Sequence, residues 1–527
     1  MTRRTLLTLA LVGFAALLPS FLWGPGKTHD YQYAYLWTQH FGEQMAAGHV
    51  YERWLPHSFE GLGSPSFYFY PPLAYWVTGA IVALGVPVPQ AINLGALALL
   101  VASGLAMHRW LAERAPPASA LGGAICYMVA PYHLYDFYVR GALAEFAAFI
   151  WLPLIALAID RLPTRRGTLL LAASFAGLLI THLPMAMLTG LFLVAPLLVA
   201  RCRRDAAILL PAAGAGLLSA AAAAFYLLPV LTLQDHVSIA MLWTTDQAST
   251  WSIWSVHPAL FPSLSVALIL LARPVRSLWG GIVAVTAIAA LGLIPLLWEI
   301  AILDKVQFPW RLFCIAEFAA VTAMVRHRAR PLLTAPGRTL LIFPYLATAF
   351  TAAAYMRAPI DYATIDRIGP DAVEYLPAGF DTKRVRRDAL VHRRLDADAW
   401  RSLPRGDTIR VTRTGPVTIG RAAFPIWQVM REGTAVPSTG PLIRFDATPG
   451  VYRVVRVALW QERWGAAISL AALALFVLLA LPGASLRRLC RRPIGVRRVG
   501  HPARSGNAAR PTGTPGRAAS RSAPPAA

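Results

Sequence analysis

From Thr5 to Trp23 the chain reads TLLTLALVGFAALLPSFLW, about 19 residues without a charge, and stretches of this kind recur almost to its end. A helix of roughly 20 apolar residues crosses the ~30 Å hydrocarbon core of a bilayer, where every backbone polar group must be satisfied within the segment. Further runs lie near 90–108, 118–135, 142–160, 168–181, 184–200, 207–232, 258–272, 277–298, 308–325, 338–355 and 464–482. Only 14% of the residues are charged and 56% are hydrophobic, against about 25% charged in soluble domains. The expected fold class is an α-helical polytopic membrane protein.

The charges set the number of crossings. A further apolar stretch, Leu73 to Leu84, either spans or lies in the interface. If it lies in the interface, Arg3/Arg4, Arg109/Arg114, Arg161/Arg165/Arg166, Arg201/Arg203/Arg204, Arg273/Arg276, Arg326/Arg328/Arg330 and Arg487 to Arg498 all fall on one side. Cytoplasmic loops carry such an excess. If it spans, every later cluster moves away from the first. Twelve spans with both termini cytoplasmic follow. The first run, behind Arg3 and Arg4 and before Gly-Pro-Gly-Lys, reads as an uncleaved anchor, because no small-x-small cleavage site follows it.

This topology places outside the loop 24–89, a turn at 133–141, the loop 233–257 and the segment 356–463. Residues 1–355 form the transmembrane domain, and 464–483 the last crossing. Segment 356–463 alternates as strands do in TIRVTRTGPVTIG and GVYRVVRVALW, so a small β-rich outer domain is expected there. Residues 484–527 hold ten Arg and no Asp or Glu, a basic disordered tail near anionic lipid. The net charge of +23 is therefore spread over membrane loops, not a groove for nucleic acid. Cys126, Cys202, Cys314 and Cys490 show no CxxC spacing, which argues against a disulfide framework or a zinc site.

Polar residues collect on the outer face. His29 and Asp30 follow the first run closely. YAYLWTQHFGEQMAAGHVY then has the spacing of an amphipathic interfacial helix stopped by Gly48. SPSFYFYPPLAYW supplies aromatics, expected mostly as a belt at headgroup depth. PYHLYDFYVRGALAE brings His133, Asp136, Arg140 and Glu145 to the ends of two spans, and DKVQFPWRL places Lys305 and Arg311 at the mouth of another. Cations on this side need an anionic partner, either a nearby carboxylate or a lipid phosphate. His133 and His182 are also readable as hydrogen-bonded helix-end residues. Asp235, His236, Asp246 and His257 lie in or beside outer turns.

The near-membrane Asp30, the interfacial helix and the aromatic return through Pro71-Pro72 together resemble the first outer loop of the GT-C membrane glycosyltransferases. The resemblance implies that Asp30 is catalytic and that the loop lies over a lipid-phosphate donor. The motifs SPSFYFYPPLAYW, APYHLYDFYVRGALAEF, LPLIALAID, QFPWRL and VEYLPAGFD look like bacterial membrane proteins labelled 6-pyruvoyl-tetrahydropterin synthase-related, over most of the chain. Asp30 stands between His29 and Tyr31, which does not support a DxD-type metal site, so no cofactor is assigned. Tyr70 occupies the position before the prolines where aminoarabinose transferases place a phosphate-binding lysine. Phosphate contacts then fall to Arg311, Arg140 and Lys305, with His29, His133, Asp136, Glu145 and Tyr70 around the substrate.

The implied activity moves a sugar from a polyprenyl-phosphate donor to an envelope glycan or lipid acceptor, at the outer face of a bacterial inner membrane. A transporter or lipid flippase and a non-enzymatic envelope scaffold are the rival readings. Transporters tend to show internal repeats and mid-span ionisable groups; no fixed-period repeat is evident here, and the apolar runs are nearly free of charge.

Overall fold

The computed structural model describes residues 2–243, 276–326, 346, 349–353, 357–380 and 403–481. The expected span 258–272, most of 338–355, Asp246, His257 and the basic tail lie outside the described residues.

Among the described residues, five helices are long and apolar enough to cross a membrane: α1 (Arg3–Trp23), α4 (Val88–Leu111), α5 (Leu143–Asp160), Leu183–Cys202 and α8 (Trp460–Ala480). The pair Ala206–Ala222 and Ala224–Thr232, bent by 75°, makes a sixth if it is one broken span. Several other expected spans are shorter helices: Pro117–Met128, Arg165–Leu179, Leu278–Ala290 and α6 (Phe313–Arg326). Proline explains two of these limits. The first helix stops just before Pro131, and α6 is preceded by a 3-10 turn that begins at Pro309. A proline lacks the N–H that would continue the ladder and pushes its predecessor out of the helical region. Twelve full-length crossings are therefore not seen among the described residues.

The apolar stretch after the double proline forms α3 (Leu73–Ala83), only 11 residues. At ~1.5 Å per residue it covers little more than half a bilayer core. It packs on α2 (Tyr31–Ala46), the expected amphipathic helix, which ends just before Gly48 with its φ of +87°. The two meet through glycines. A Cβ on Gly42 would lie 2.3 Å from Val82 Cγ1, and one on Gly79 would lie 2.5 Å from Phe41 Cβ.

The bundle has two chemically different ends. At one, Glu113 bonds Arg109 and Arg161, and Asp160 bonds Arg114 and Arg326 at 3.0 and 3.1 Å. Arg165 and Arg201 cap carbonyls at the same end, those of Leu478 and Leu162. Four of the basic clusters grouped by the charge rule thus meet in space. At the other end lie Asp30, Arg140 and Arg311.

The aromatics of the loop 24–89 do not form a lipid-facing belt. Trp37, Phe41, Phe67, Tyr68, Phe69 and Tyr75 are buried, with Trp37–Tyr70 and Phe41–Phe67 ring centroids 4.5 and 4.6 Å apart. The return through Pro71-Pro72 folds the loop on itself, so its rings bury one another instead of facing lipid.

Among the described residues, the strands lie between Thr408 and Arg456. β1 (Thr408–Val411), β6 (Gly450–Arg456), β3 (Trp427–Arg431) and β4 (Thr434–Val436) form an antiparallel sheet in the order 1-6-3-4. β2 (Gly415–Ala422) and β5 (Leu442–Ala447) pair separately. Alternate residues, including Ile409, Ile419, Val429, Phe445 and Val454, bury into one small core between them. Ahead of the sheets, residues 357–380 carry the short helix α7 (Tyr362–Ile368) and dock on the first outer loop. Buried Asp371 makes that junction. Its Oδ1 accepts from Trp37 Nε1 at 3.1 Å, and its Oδ2 accepts from the Ser58 and Ser66 hydroxyls, each at 2.8 Å.

Candidate functional site

The site begins with one π-helical turn, Asp136–Arg140, ended by Gly141 at φ +68°. A Cβ on Gly141 would stand 2.1 Å from Thr28 Oγ1, so only glycine allows the link after α1 to come this close. The approach lets two backbone amides dock. His29 N–H donates to the Val139 carbonyl at 3.0 Å, and Asp30 N–H to that of Arg140 at 2.8 Å. Asp30 is thereby held against the segment that carries Arg140.

Glu145 sits in the first turn of α5, where the helix N-terminus favours a negative group. It is fully buried and binds both arginines through one oxygen. Its Oε2 is 2.6 Å from an Arg140 terminal nitrogen and 3.0 Å from Arg311 Nε. Its Oε1 accepts from the Tyr132 hydroxyl at 2.6 Å. Arg140 is bound again by Asp136 Oδ1 at 2.7 Å, and it donates to the Tyr132 hydroxyl at 3.1 Å. The Phe308 ring lies under both guanidinium groups, 5.2 Å from that of Arg140 and 4.8 Å from that of Arg311. Among the described residues, Nη1 and Nη2 of Arg311, and Nε and Nη2 of Arg140, have no hydrogen-bond partner. Two cations are thus fixed by one carboxylate, with donors left over.

Asp30 is half-buried, and its carboxylate belongs to the same electrostatic neighbourhood. Burial pushes its pKa above the ordinary value; Arg140 and Arg311 pull it down, and Glu145 pushes it up again. Asp30 thus lies within electrostatic range of both arginines and Glu145, although Arg311 is far away in sequence. A narrow apolar slot lies near this segment, lined by Thr28, Tyr31, Ala34, Ile92, Phe137 and Leu143 and not by Asp30 itself.

Asp30, Asp136, Arg140, Glu145 and Arg311 therefore converge, and Tyr70 is near enough to feel the charges of Asp30 and Arg311. His29 stands exposed at the rim. Two of the expected residues lie elsewhere. Lys305 is exposed and bonds Asp304 at 3.4 Å, since the turn before Pro309 carries it outward. His133 is a core side chain, stacked 3.8 Å from Phe149 with its ring nitrogens 3.3 Å from the Tyr127 and Phe146 carbonyls.

Three contributors escaped the sequence reading. Tyr132 bridges Glu145 and Arg140, and its i, i+4, i+8 spacing with Asp136 and Arg140 was the available signal. Glu317 accepts from the Tyr132 backbone N–H at 2.9 Å, and a carboxylate inside the apolar α6 was itself a flag. Asp371 lacked any local pattern. His182 accepts from Met185 N–H through Nδ1, which leaves Nε2 to carry its proton 3.9 Å from Glu145. Among the described residues, no group of three or more His, Cys, Asp or Glu side chains is arranged to hold a metal ion.

No family model matches the chain, and no curated protein matches it. Solved structures do. Two single-particle structures of the arabinofuranosyltransferase AftD from Mycobacteria match at 16% identity, with TM-scores of 0.39 and 0.40. The matches cover 68% of this chain but only 27% and 28% of theirs. Likeness of that extent assigns this chain neither a family nor an activity.

Proposed function

We propose that the protein is an integral membrane glycosyltransferase of the GT-C type, related to the bacterial proteins labelled 6-pyruvoyl-tetrahydropterin synthase-related. It transfers a sugar from a polyprenyl-phosphate-linked donor to an extracytoplasmic acceptor, an envelope glycan or lipid. Both termini face the cytoplasm of a bacterial inner membrane. The observation that carries the reading is Asp30 docked through its backbone on the Arg140 segment, within electrostatic range of two guanidinium groups that Glu145 holds with free N–H donors.

In this reaction the acceptor hydroxyl oxygen bonds to the anomeric carbon while its proton passes to Asp30. The bond from that carbon to the donor phosphate breaks, and its electron pair stays on the phosphate oxygen. Arg311 and Arg140 present fixed N–H groups to that developing charge, the kind of preorganised stabilisation that counts most where water is excluded. Lys305 has no part in this scheme.

Asp30→Asn tests it directly. Loss of the base lowers transfer by about 10²–10⁴-fold, measured with purified protein and a radiolabelled polyprenyl-phosphate sugar, while yield and unfolding are unchanged. Full activity in that variant removes Asp30 from the mechanism. Buried Glu317 is the one feature that favours a transporter, and proton-coupled uptake into proteoliposomes abolished by Glu317→Gln would establish that rival.

A further inference from the structure

Away from the charged site, the outer face contains a cavity of about 270 Å³ between α2, the loop around His57 and α7. Leu36 and Leu55 make part of its wall apolar, and its polar lining includes two carboxylates and the His40 and His57 imidazoles. Glu43 and Asp366 contribute carboxylates. Gln39 donates its amide nitrogen to Glu43 at 3.0 Å and so orients that carboxylate. His40 is only 6% exposed, and its Nε2 lies 3.4 Å from the Glu52 carbonyl, which can only accept; Nδ1 is then a lone-pair acceptor. Burial holds this imidazole neutral, with its pKa lowered to about 4. The Ser58 hydroxyl on the cavity wall is already committed to Asp371.

We infer that this cavity is a carbohydrate-binding subsite that takes one neutral or amino sugar unit through its hydroxyl and amine hydrogens. Two carboxylates and an imidazole lone pair call for a donor-rich ligand and repel a phosphorylated one. The volume lies just below the usual range of ligand pockets, ~300–1,000 Å³, and admits one sugar ring. The position suits an acceptor chain. Gln39 and His40 are nine and ten residues beyond Asp30 along α2, about 14 Å at the helical rise. One sugar cannot bridge that separation, but a short oligosaccharide can. The subsite would hold a distal residue of the glycan whose hydroxyl is presented to Asp30. That last step rests on the glycosyltransferase reading; the subsite itself does not.

Saturation-transfer NMR on the full chain in nanodiscs separates the two. The probes are methyl α-D-glucopyranoside, methyl α-D-mannopyranoside, methyl α-D-arabinofuranoside, glucosamine and glucose 6-phosphate. At least one unphosphorylated sugar is expected to bind with a Kd of about 1 mM. Glu43→Gln with Asp366→Asn should weaken it about tenfold, the cost of losing charged acceptors. Thermal unfolding of that double variant confirms that it is folded, and Asp30→Asn should leave binding unchanged. No transfer to any of the unphosphorylated sugars overturns the subsite. So does binding that the double variant leaves intact, or glucose 6-phosphate binding as well as its parent sugar. If sugars bind as expected but no polyprenyl-phosphate donor is ever consumed, the subsite stands and the transferase reading fails.

Discussion

Glutamine at position 145 would remove one negative charge from the centre of the site and change almost nothing else. Glu145 is fully buried and accepts three hydrogen bonds, two at Oε2 from the arginines and one at Oε1 from Tyr132. The glutamine oxygen can take the Oε2 place and keep both guanidinium bonds. Its NH2 group then faces the Tyr132 hydroxyl, which can turn to accept. Hydrogen bonds survive in number, so the loss is one of charge. Arg140 keeps Asp136 as a counter-ion, whereas Arg311, 9% exposed in its side chain, loses its one ion-pair partner among the described residues. Breaking a buried ion pair on one side costs about 3–5 kcal/mol. Glu145→Gln is therefore expected to lose about that much, read as reversible unfolding in mixed detergent and SDS by tryptophan fluorescence. Removing the stranded cation as well, in Glu145→Gln with Arg311→Met, should cost at least ~1 kcal/mol less than the two single changes summed. A loss below ~1 kcal/mol for Glu145→Gln, or strict additivity in the double variant, would refute the claim that Glu145 holds the two arginines.

The remaining expectations concern the base, the helix contact and the outer junction. Because burial raises the pKa of Asp30 and the base must be ionised, transfer should fall on acidification at a pH above the 3.8 of an ordinary aspartate. Arg311→Met removes a charge that lowers that pKa, so the acid limb of its residual activity should move to higher pH; a move to lower pH would contradict the placement. Gly79→Ala forces a methyl group to within 2.5 Å of Phe41 Cβ and 3.0 Å of the Gly42 nitrogen, and overpacking of this kind costs about 1–3 kcal/mol. Unfolding of that variant at the parent detergent midpoint would show that the α2–α3 contact is looser than described. Asp371→Asn leaves two of the donors from Trp37, Ser58 and Ser66 facing an NH2 group, about 1–3 kcal/mol. It should speed limited proteolysis within 357–380, and an unchanged cleavage rate would mean that Asp371 does not tie this segment down.

The membrane class was legible in the sequence because it rests on uncharged runs and on which arginines share a side, and both are local properties. The end of the bundle where Glu113 and Asp160 join four arginines agrees with that charge pattern. The strands were legible too, since TIRV and GVYRVVR alternate with period two. Run lengths misled where proline intervenes, because an apolar stretch does not reveal how many of its residues keep helical geometry.

For the site, the sequence by itself named Asp30, Arg140, Glu145 and Arg311 but ranked them beside Lys305 and His133, which differ in nothing that a linear pattern records. Only the tertiary structure separated them. Arg311 and Glu145 are 166 residues apart, and no periodicity reaches across that distance. Their meeting depends on how α5 and α6 pack, and the approach of Asp30 depends on Gly141 having no side chain where Thr28 crosses it. Composition chose the solvent this chain lives in. Close packing chose which of its few charges became partners, because a buried charge persists only where the fold supplies an opposite one within hydrogen-bond reach.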